Sequence, residues 1–224
     1  MAERITLKTV DGVTIVADWV AAPTTIGASI LLHMMPANRK SWVGLQAALM
    51  SRGVASLAID LRGHGESVEG PDGSRIDFKG FTDDEHQSSL YDVIAAFDWL
   101  RRRGFEPSHI VVCGASIGAN IALQMLLEEP ALAGAALLSP GSSYHGTDAT
   151  FDAPSVLPPQ SLWVAASEGD DQKSFEDGKA VVEKAPSDRK EFVGLKNAGH
   201  GTNMFSADPK LTERLADWIR DLVR

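Results

Sequence analysis

Residues 110–129 read Ile-Val-Val-Cys-Gly-Ala-Ser-Ile-Gly-Ala-Asn-Ile-Ala-Leu-Gln-Met-Leu-Leu-Glu-Glu. Ile110 to Gly114 is apolar at every position, the pattern of a strand covered on both faces, and Ile117 to Glu129 continues as a helix. Between them, Gly114-Ala-Ser-Ile-Gly118 leaves Ser116 alone on the turn. Glycines two residues to either side let the chain fold back tightly, so the serine can take a strained backbone that lifts its hydroxyl above the sheet edge. A strand that turns directly into a helix is half of a parallel-sheet unit, so this stretch assigns the chain to the α/β class.

Working outward, the same alternation recurs. Short apolar strands are expected at Ser29 to His33, Ala55 to Ile59, Ala135 to Leu138, Leu162 to Ala166 and Lys190 to Leu195. Helices are expected at Trp42 to Arg52, near Phe175 to Lys184, and from Asp208-Pro209 to the end, where Leu211, Leu215, Trp218, Ile219 and Leu222 share one face. Another helix starts at the capping box Thr82-Asp-Asp-Glu85 and buries Leu90, Val93, Ile94, Phe97 and Leu100. Only the N-terminus departs from this pattern. Ile5 to Val10 and Thr14 to Val20 flank Asp11-Gly12, which predicts an antiparallel hairpin. No repeat or linker divides residues 1–224, so one domain is expected, with Ser139 to Gln160 as its longest irregular stretch. In such a sheet the loops after His33, Gly114, Ser139 and Ser167 meet at the carboxyl ends of the strands, where ligands bind.

A serine hydroxyl is protonated at neutral pH and attacks a carbonyl only when a base removes its proton. His200, in Asn197-Ala-Gly-His-Gly201 after the last strand, is the expected base for Ser116. Of the other histidines, His33 ends a strand, His64 lies in Asp60-Leu-Arg-Gly-His-Gly-Glu66, His86 begins a helix, His109 precedes the serine's strand and His145 lies in a loop. An imidazole base needs a carboxylate to fix its tautomer, and Ser167-Glu-Gly-Asp170-Asp171 provides one. Asp170 is preferred because the third and fourth positions after the strand turn back toward the site before the next helix begins; Asp171 is next and Glu168 third. The chain order serine, acid, histidine suits a strand–turn–helix nucleophile. Negative charge on the tetrahedral intermediate calls for two backbone donors, here the N–H groups of Ile117 and Met35, since Pro36 has none. Trp42, Tyr144 and Met204, with Phe151 and Phe205, are candidate pocket residues, and Arg39 and Lys40 are either solvated or attract a substrate carboxylate.

Together these motifs resemble the α/β-hydrolase superfamily, in particular its small bacterial carboxylesterase and dienelactone-hydrolase-like members, over nearly the whole chain. Gly114 to Gly118 is similar to that family's nucleophile turn, Asp60 to Ser67 to its turn after an early strand, Asn197 to Gly201 to its histidine loop, and Ser167 to Asp170 to its acid loop. The resemblance implies a mostly parallel central sheet with helices on both faces and no large lid domain. It also implies carboxylic ester hydrolysis through an acyl-enzyme, with short-chain esters favoured. Met34 stands where many relatives carry glycine, and the connection from Ser139 to Ser161 is short where others insert a lid. Lactone, thioester or amide hydrolysis, or acyl transfer, would use the same triad, and a ligand-binding protein on the same fold is the non-enzymatic alternative.

Composition narrows the setting. A net charge of -9 opposes binding to nucleic acid or anionic membrane, and the run Arg101-Arg102-Arg103 suits a helix C-terminus. A single cysteine, Cys113, and the absence of a signal-like N-terminus lead to the expectation of a cytoplasmic protein acting on a small-molecule ester. The histidines lack metal-ligand spacing, so neither metal nor organic cofactor is expected.

Overall fold

A computed structural model of the chain describes residues 2–169 and 171–224. Strands β1 (Glu3–Lys8) and β2 (Thr14–Val20) form the opening hairpin, with Gly12 at φ 84° in the turn. β3 (Gly27–Leu32), helix α1 (Val43–Ser51), β4 (Val54–Ile59), short α2 (Asp83–Gln87), α3 (Leu90–Arg102), β5 (Ile110–Ala115), α4 (Ile117–Glu128) and β6 (Gly134–Leu138) follow. The two-residue strands β7 (Ser143–Tyr144) and β8 (Thr147–Asp148) pair with each other, and β9 (Ser161–Glu168), α5 (Gln172–Lys184), β10 (Lys190–Lys196), α6 (Met204–Ala207) and α7 (Pro209–Leu222) complete the chain.

Among the described residues, eight strands form one sheet in the order β1-β2-β4-β3-β5-β6-β9-β10. β1 and β2 run antiparallel to each other, and β2 runs antiparallel to β4; every other pairing in this sheet is parallel. Along β5 the side chains alternate between two cores. Val112 packs with residues of α3, α4 and α5, whereas Val111, Cys113 and Ala115 pack with residues of α1, α6 and α7. This two-sided burial explains why the strand is apolar throughout. It also aims every β-to-α turn at one edge. The chain thus has the α/β-hydrolase fold, with helices on both faces and an antiparallel N-terminal hairpin. Among the described residues no helix is long and apolar enough to cross a membrane.

The capping box forms as expected: the Thr82 hydroxyl accepts from the Glu85 N–H (3.3 Å) and the Glu85 carboxylate from the Thr82 N–H (2.7 Å). Yet the helix it starts ends at Gln87, and the apolar face from Leu90 belongs to a separate helix. The Ser88 hydroxyl donates to the Asp84 carbonyl (2.9 Å), and tight three-residue bonds from Ser89 and Asp92 replace the regular ladder there. Ser139 to Gln160 holds the β7–β8 hairpin, so it is not the longest irregular stretch. That description fits residues 60–81, whose only helix is the turn Phe78–Gly80. The segment is organised around buried Asp60, which accepts from the N–H groups of Arg39 (2.7 Å) and Glu66 (2.8 Å). Arg39 is also buried. Its guanidinium meets Asp18 (3.0 Å), Asp60 and Glu66, so it is neither solvated nor available to substrate; exposed Lys40 pairs with Asp18.

Candidate active site

Ser116 sits between β5 and α4 at φ 55°, ψ -123°, a left-handed region costly to any residue with a Cβ. Its N–H donates to the Leu138 carbonyl (2.8 Å), which ties the turn to the end of β6. A Cβ on Gly114 would lie 1.9 Å from the Gly118 carbonyl oxygen, and one on Gly118 would lie 2.6 Å from the Leu32 oxygen and 2.7 Å from the His33 oxygen. Both glycines are therefore needed for the turn to close. The result is a serine 9% exposed at the N-terminus of a helix, where free N–H groups favour negative charge. Ile117 is the first residue of that helix, and Met35 follows the end of adjacent β3, which pairs Leu32 with Gly114. The two expected backbone donors thus come from neighbouring strand ends.

The histidine loop folds onto the same edge. Asn197, Gly199 and Gly201 all have positive φ, and a Cβ on Gly201 would lie 2.7 Å from the Met34 sulfur and 3.3 Å from the Ala115 Cβ. Gly201, the residue after His200, is thereby held beside the residue that precedes Ser116. His200 Nδ1 donates to Asp171 Oδ2 across 2.6 Å, with the carboxylate side chain 16% exposed and the imidazole 34%. A neutral imidazole that donates from Nδ1 carries its lone pair on Nε2, the arrangement a general base needs. Asp170, the preferred acid from sequence, lies outside the described residues; the carboxylate that meets His200 is that of Asp171, the second choice.

Tyr144, on the β7–β8 hairpin, presents its ring edge-on to His200 with centroids 6.4 Å apart. Its hydroxyl lies 3.1 Å from Ser174 Oγ. Burial pushes the phenol up from its ordinary pKa, while the hydroxyls of Ser174 and Ser116 pull the other way. Ser116, His200, Asp171 and Tyr144 therefore converge. Trp42 and Met204 do not join them, because both are fully buried in the core shared with α1 and α7, the Trp42 ring edge-on to Phe205 at 5.9 Å. Phe151 is 81% exposed.

The remaining histidines have other partners. His33 is fully buried, donates from Nδ1 to the Met34 carbonyl (2.9 Å) and accepts the Leu61 N–H at Nε2 (3.0 Å); burial, with the neighbouring His64, pushes it down to about 3. His64 stacks on Phe78, and burial lowers its pKa too. His86 and His145 stack on each other, and His145 meets Asp83 at 3.0 Å. His109 lies 3.4 Å from the Ser108 hydroxyl. Sequence reasoning missed two contacts on the histidine loop: Ser139 Oγ accepts the Gly201 N–H (2.9 Å) and Ser167 Oγ accepts the Ala198 N–H (2.7 Å). The available signal was a serine closing each of two buried apolar strands.

A family model described as Serine aminopeptidase, S33, matches residues 27–189, well over half of the chain. The chain belongs to this hydrolase family. The matched span includes Ser116 and Asp171 and ends before His200, which meets Asp171 in the structure. No curated protein sequence matches the chain. Among solved structures it is similar to an esterase of Pyrococcus furiosus, at 17% identity over 100% of this chain and 92% of the other, with a TM-score of 0.81. It is also similar to a thermophilic esterase from Thermogutta terrifontis with malate bound (16% identity, 99% and 100% covered, TM-score 0.75). A 2,6-dihydroxy-pseudo-oxynicotine hydrolase gives 19% identity over 99% of this chain and 68% of the other, with a TM-score of 0.78. At these identities the likeness establishes the fold.

Proposed function

We propose that this hydrolase cleaves carboxylic esters through a covalent acyl-enzyme, with Ser116 as nucleophile, His200 as general base and Asp171 as the carboxylate that orients it. The observation that carries the reading is the backbone of Ser116, held at φ 55° by two glycines that tolerate no side chain. Strain of this kind persists where the surrounding fold over-determines it, and it is the backbone expected of a nucleophile on a strand-to-helix turn.

In the first half-reaction Ser116 Oγ attacks the ester carbonyl as His200 Nε2 takes its proton. The Ile117 and Met35 N–H groups stabilise the oxyanion, and the imidazolium returns the proton to the departing alcohol. Water, deprotonated by His200, then releases the acid and regenerates the serine. A cover limited to the two-residue strands β7 and β8 favours short acyl chains or an ester protruding from a larger molecule. The reading includes a cytoplasmic setting and a small-molecule substrate.

Hydrolysis of p-nitrophenyl esters from acetate to long chains, by the parent and Ser116→Ala in parallel, tests it. Turnover of the short esters with a loss of about 10⁴-fold or more in the variant is expected. Absence of turnover in both proteins, or equal turnover, refutes the esterase reading. Because the family description names an aminopeptidase, aminoacyl p-nitroanilides belong in the same panel, and preferential turnover of these moves the assignment to amide cleavage with the same residues.

A further inference from the structure

Three carboxyl-edge features have to be held in register for a serine base pair to work: the nucleophile turn, the histidine loop and the acid loop. The first is tied to β6, since the Ser116 N–H donates to the Leu138 carbonyl at 2.8 Å. The next residue, Ser139, turns its hydroxyl to the histidine loop and accepts the Gly201 N–H at 2.9 Å. On the other side of the imidazole, Ser167 accepts the Ala198 N–H at 2.7 Å, and its own strand leads into the loop that carries Asp171. Both serines are fully buried, and Ser139 takes φ 50°, a left-handed backbone that glycine would adopt at lower cost. A serine in a position better suited to glycine points to a use for its hydroxyl.

We propose that Ser139 and Ser167 are paired positioning residues, the two anchors from which the loop 198–201 hangs so that His200 lies at a fixed height over Ser116. The proposal rests on the Ser116–His200 reading above. Adjacent residues of one strand end set the positions of nucleophile and base: Leu138 through its carbonyl, Ser139 through its hydroxyl. The second anchor links the base to the acid-bearing strand. Without either hydroxyl a buried N–H beside His200 loses its acceptor, and the loop must shift to find another. A misplacement of about 1 Å in a reacting group costs up to about 100-fold in rate, with little effect on ground-state binding.

The test compares Ser139→Ala, Ser139→Gly, Ser167→Ala and Ser167→Thr with the parent in three measurements: steady-state ester kinetics, the rate of Ser116 labelling by a fluorophosphonate, and Tm. The expected result for both alanine variants is a kcat lower by about tenfold or more, KM within twofold of the parent, and labelling slowed in proportion. Ser167→Thr, which keeps the hydroxyl, recovers most of the rate. Ser139→Gly separates fold from function. Relief of the left-handed strain leaves its Tm at or above that of Ser139→Ala, yet its labelling stays slow because the acceptor is missing. Alanine variants that label at the parental rate, or a Ser139→Gly that regains full activity, overturn the anchoring role. A parent that labels while the variants behave identically overturns this proposal alone, whereas a parent that neither labels nor hydrolyses overturns the nucleophile reading and the proposal with it.

Discussion

Substituting Asp171 by asparagine removes a charge from the 2.6 Å contact with His200 Nδ1 while barely changing its shape. When His200 takes the serine proton it becomes a cation about 4 Å from the carboxylate charge, an attraction of about 4 kcal/mol at an effective dielectric of about 20. The imidazole is 34% exposed, and the resulting screening lowers this to about 2 kcal/mol at the other limit. The charge alone is therefore worth about 30-fold to 1000-fold in kcat. Asparagine adds a second loss. Its amide can donate to Nδ1, which stabilises the tautomer with hydrogen on Nε2 and leaves no lone pair facing Ser116. Asp171→Asn is thus expected to be slower than Asp171→Ala, although asparagine is the closer replacement. Initial rates on a short p-nitrophenyl ester at pH 8, with Asp170→Asn alongside, measure both losses. If Asp171→Asn stays within fivefold of the parent while Asp170→Asn loses 1000-fold, the acid is Asp170 and the reasoning from the Asp171 contact is refuted.

Gly118→Ala would force a methyl group to 2.6 Å and 2.7 Å from two backbone oxygens at the end of β3, so the turn or the strand must move. A loss of about 2 kcal/mol or more, seen as a Tm lower by about 4 °C or more, is expected by calorimetry, and an unchanged Tm would show that the turn has slack. His33 makes stability depend on pH because burial pushes it down to about 3 in the folded chain, against about 6.5 when unfolded. Between those values the unfolded chain binds the extra proton, so stability is lost as pH falls from 6.5 toward 3, at up to about 1.4 kcal/mol per pH unit. Urea unfolding at pH 7 and pH 4.5 should show His33→Gln losing about 2–3 kcal/mol less than the parent over this interval, and equal losses would place the acid sensitivity elsewhere.

The features legible in the sequence are those whose constraint is local. At Gly114 the clash that demands glycine arises with the Gly118 carbonyl four residues on, so the spacing itself records the turn, although Gly118 is closed in by the Leu32 and His33 carbonyls of a distant segment. The glycines around His200 similarly record a loop with positive φ at Gly199 and Gly201. The choice between Asp170 and Asp171 is of another kind. It depends on how the acid loop seats on the histidine loop: the Asn197 N–H donates to the Glu168 carbonyl (2.9 Å), and a Cβ on Gly169 would lie 2.5 Å from Asn197 Oδ1. No pattern within residues 167–171 encodes that docking. Arg39 likewise reads as a loop cation because its partners, Asp18, Asp60 and Glu66, lie in separate segments that the fold brings together. For Trp42 and Met204, nearness to the carboxyl-edge loops was legible but side-chain direction was not: Trp42 ends a short 3-10 helix, Met204 begins α6, and both turn inward. Ser139 and Ser167 have no motif, since a hydroxyl that holds a backbone N–H more than thirty residues away needs no spacing rule. A functional site of this type is written in the chain as separate local turns, and the distances between them are fixed by contacts that only the folded sheet brings together.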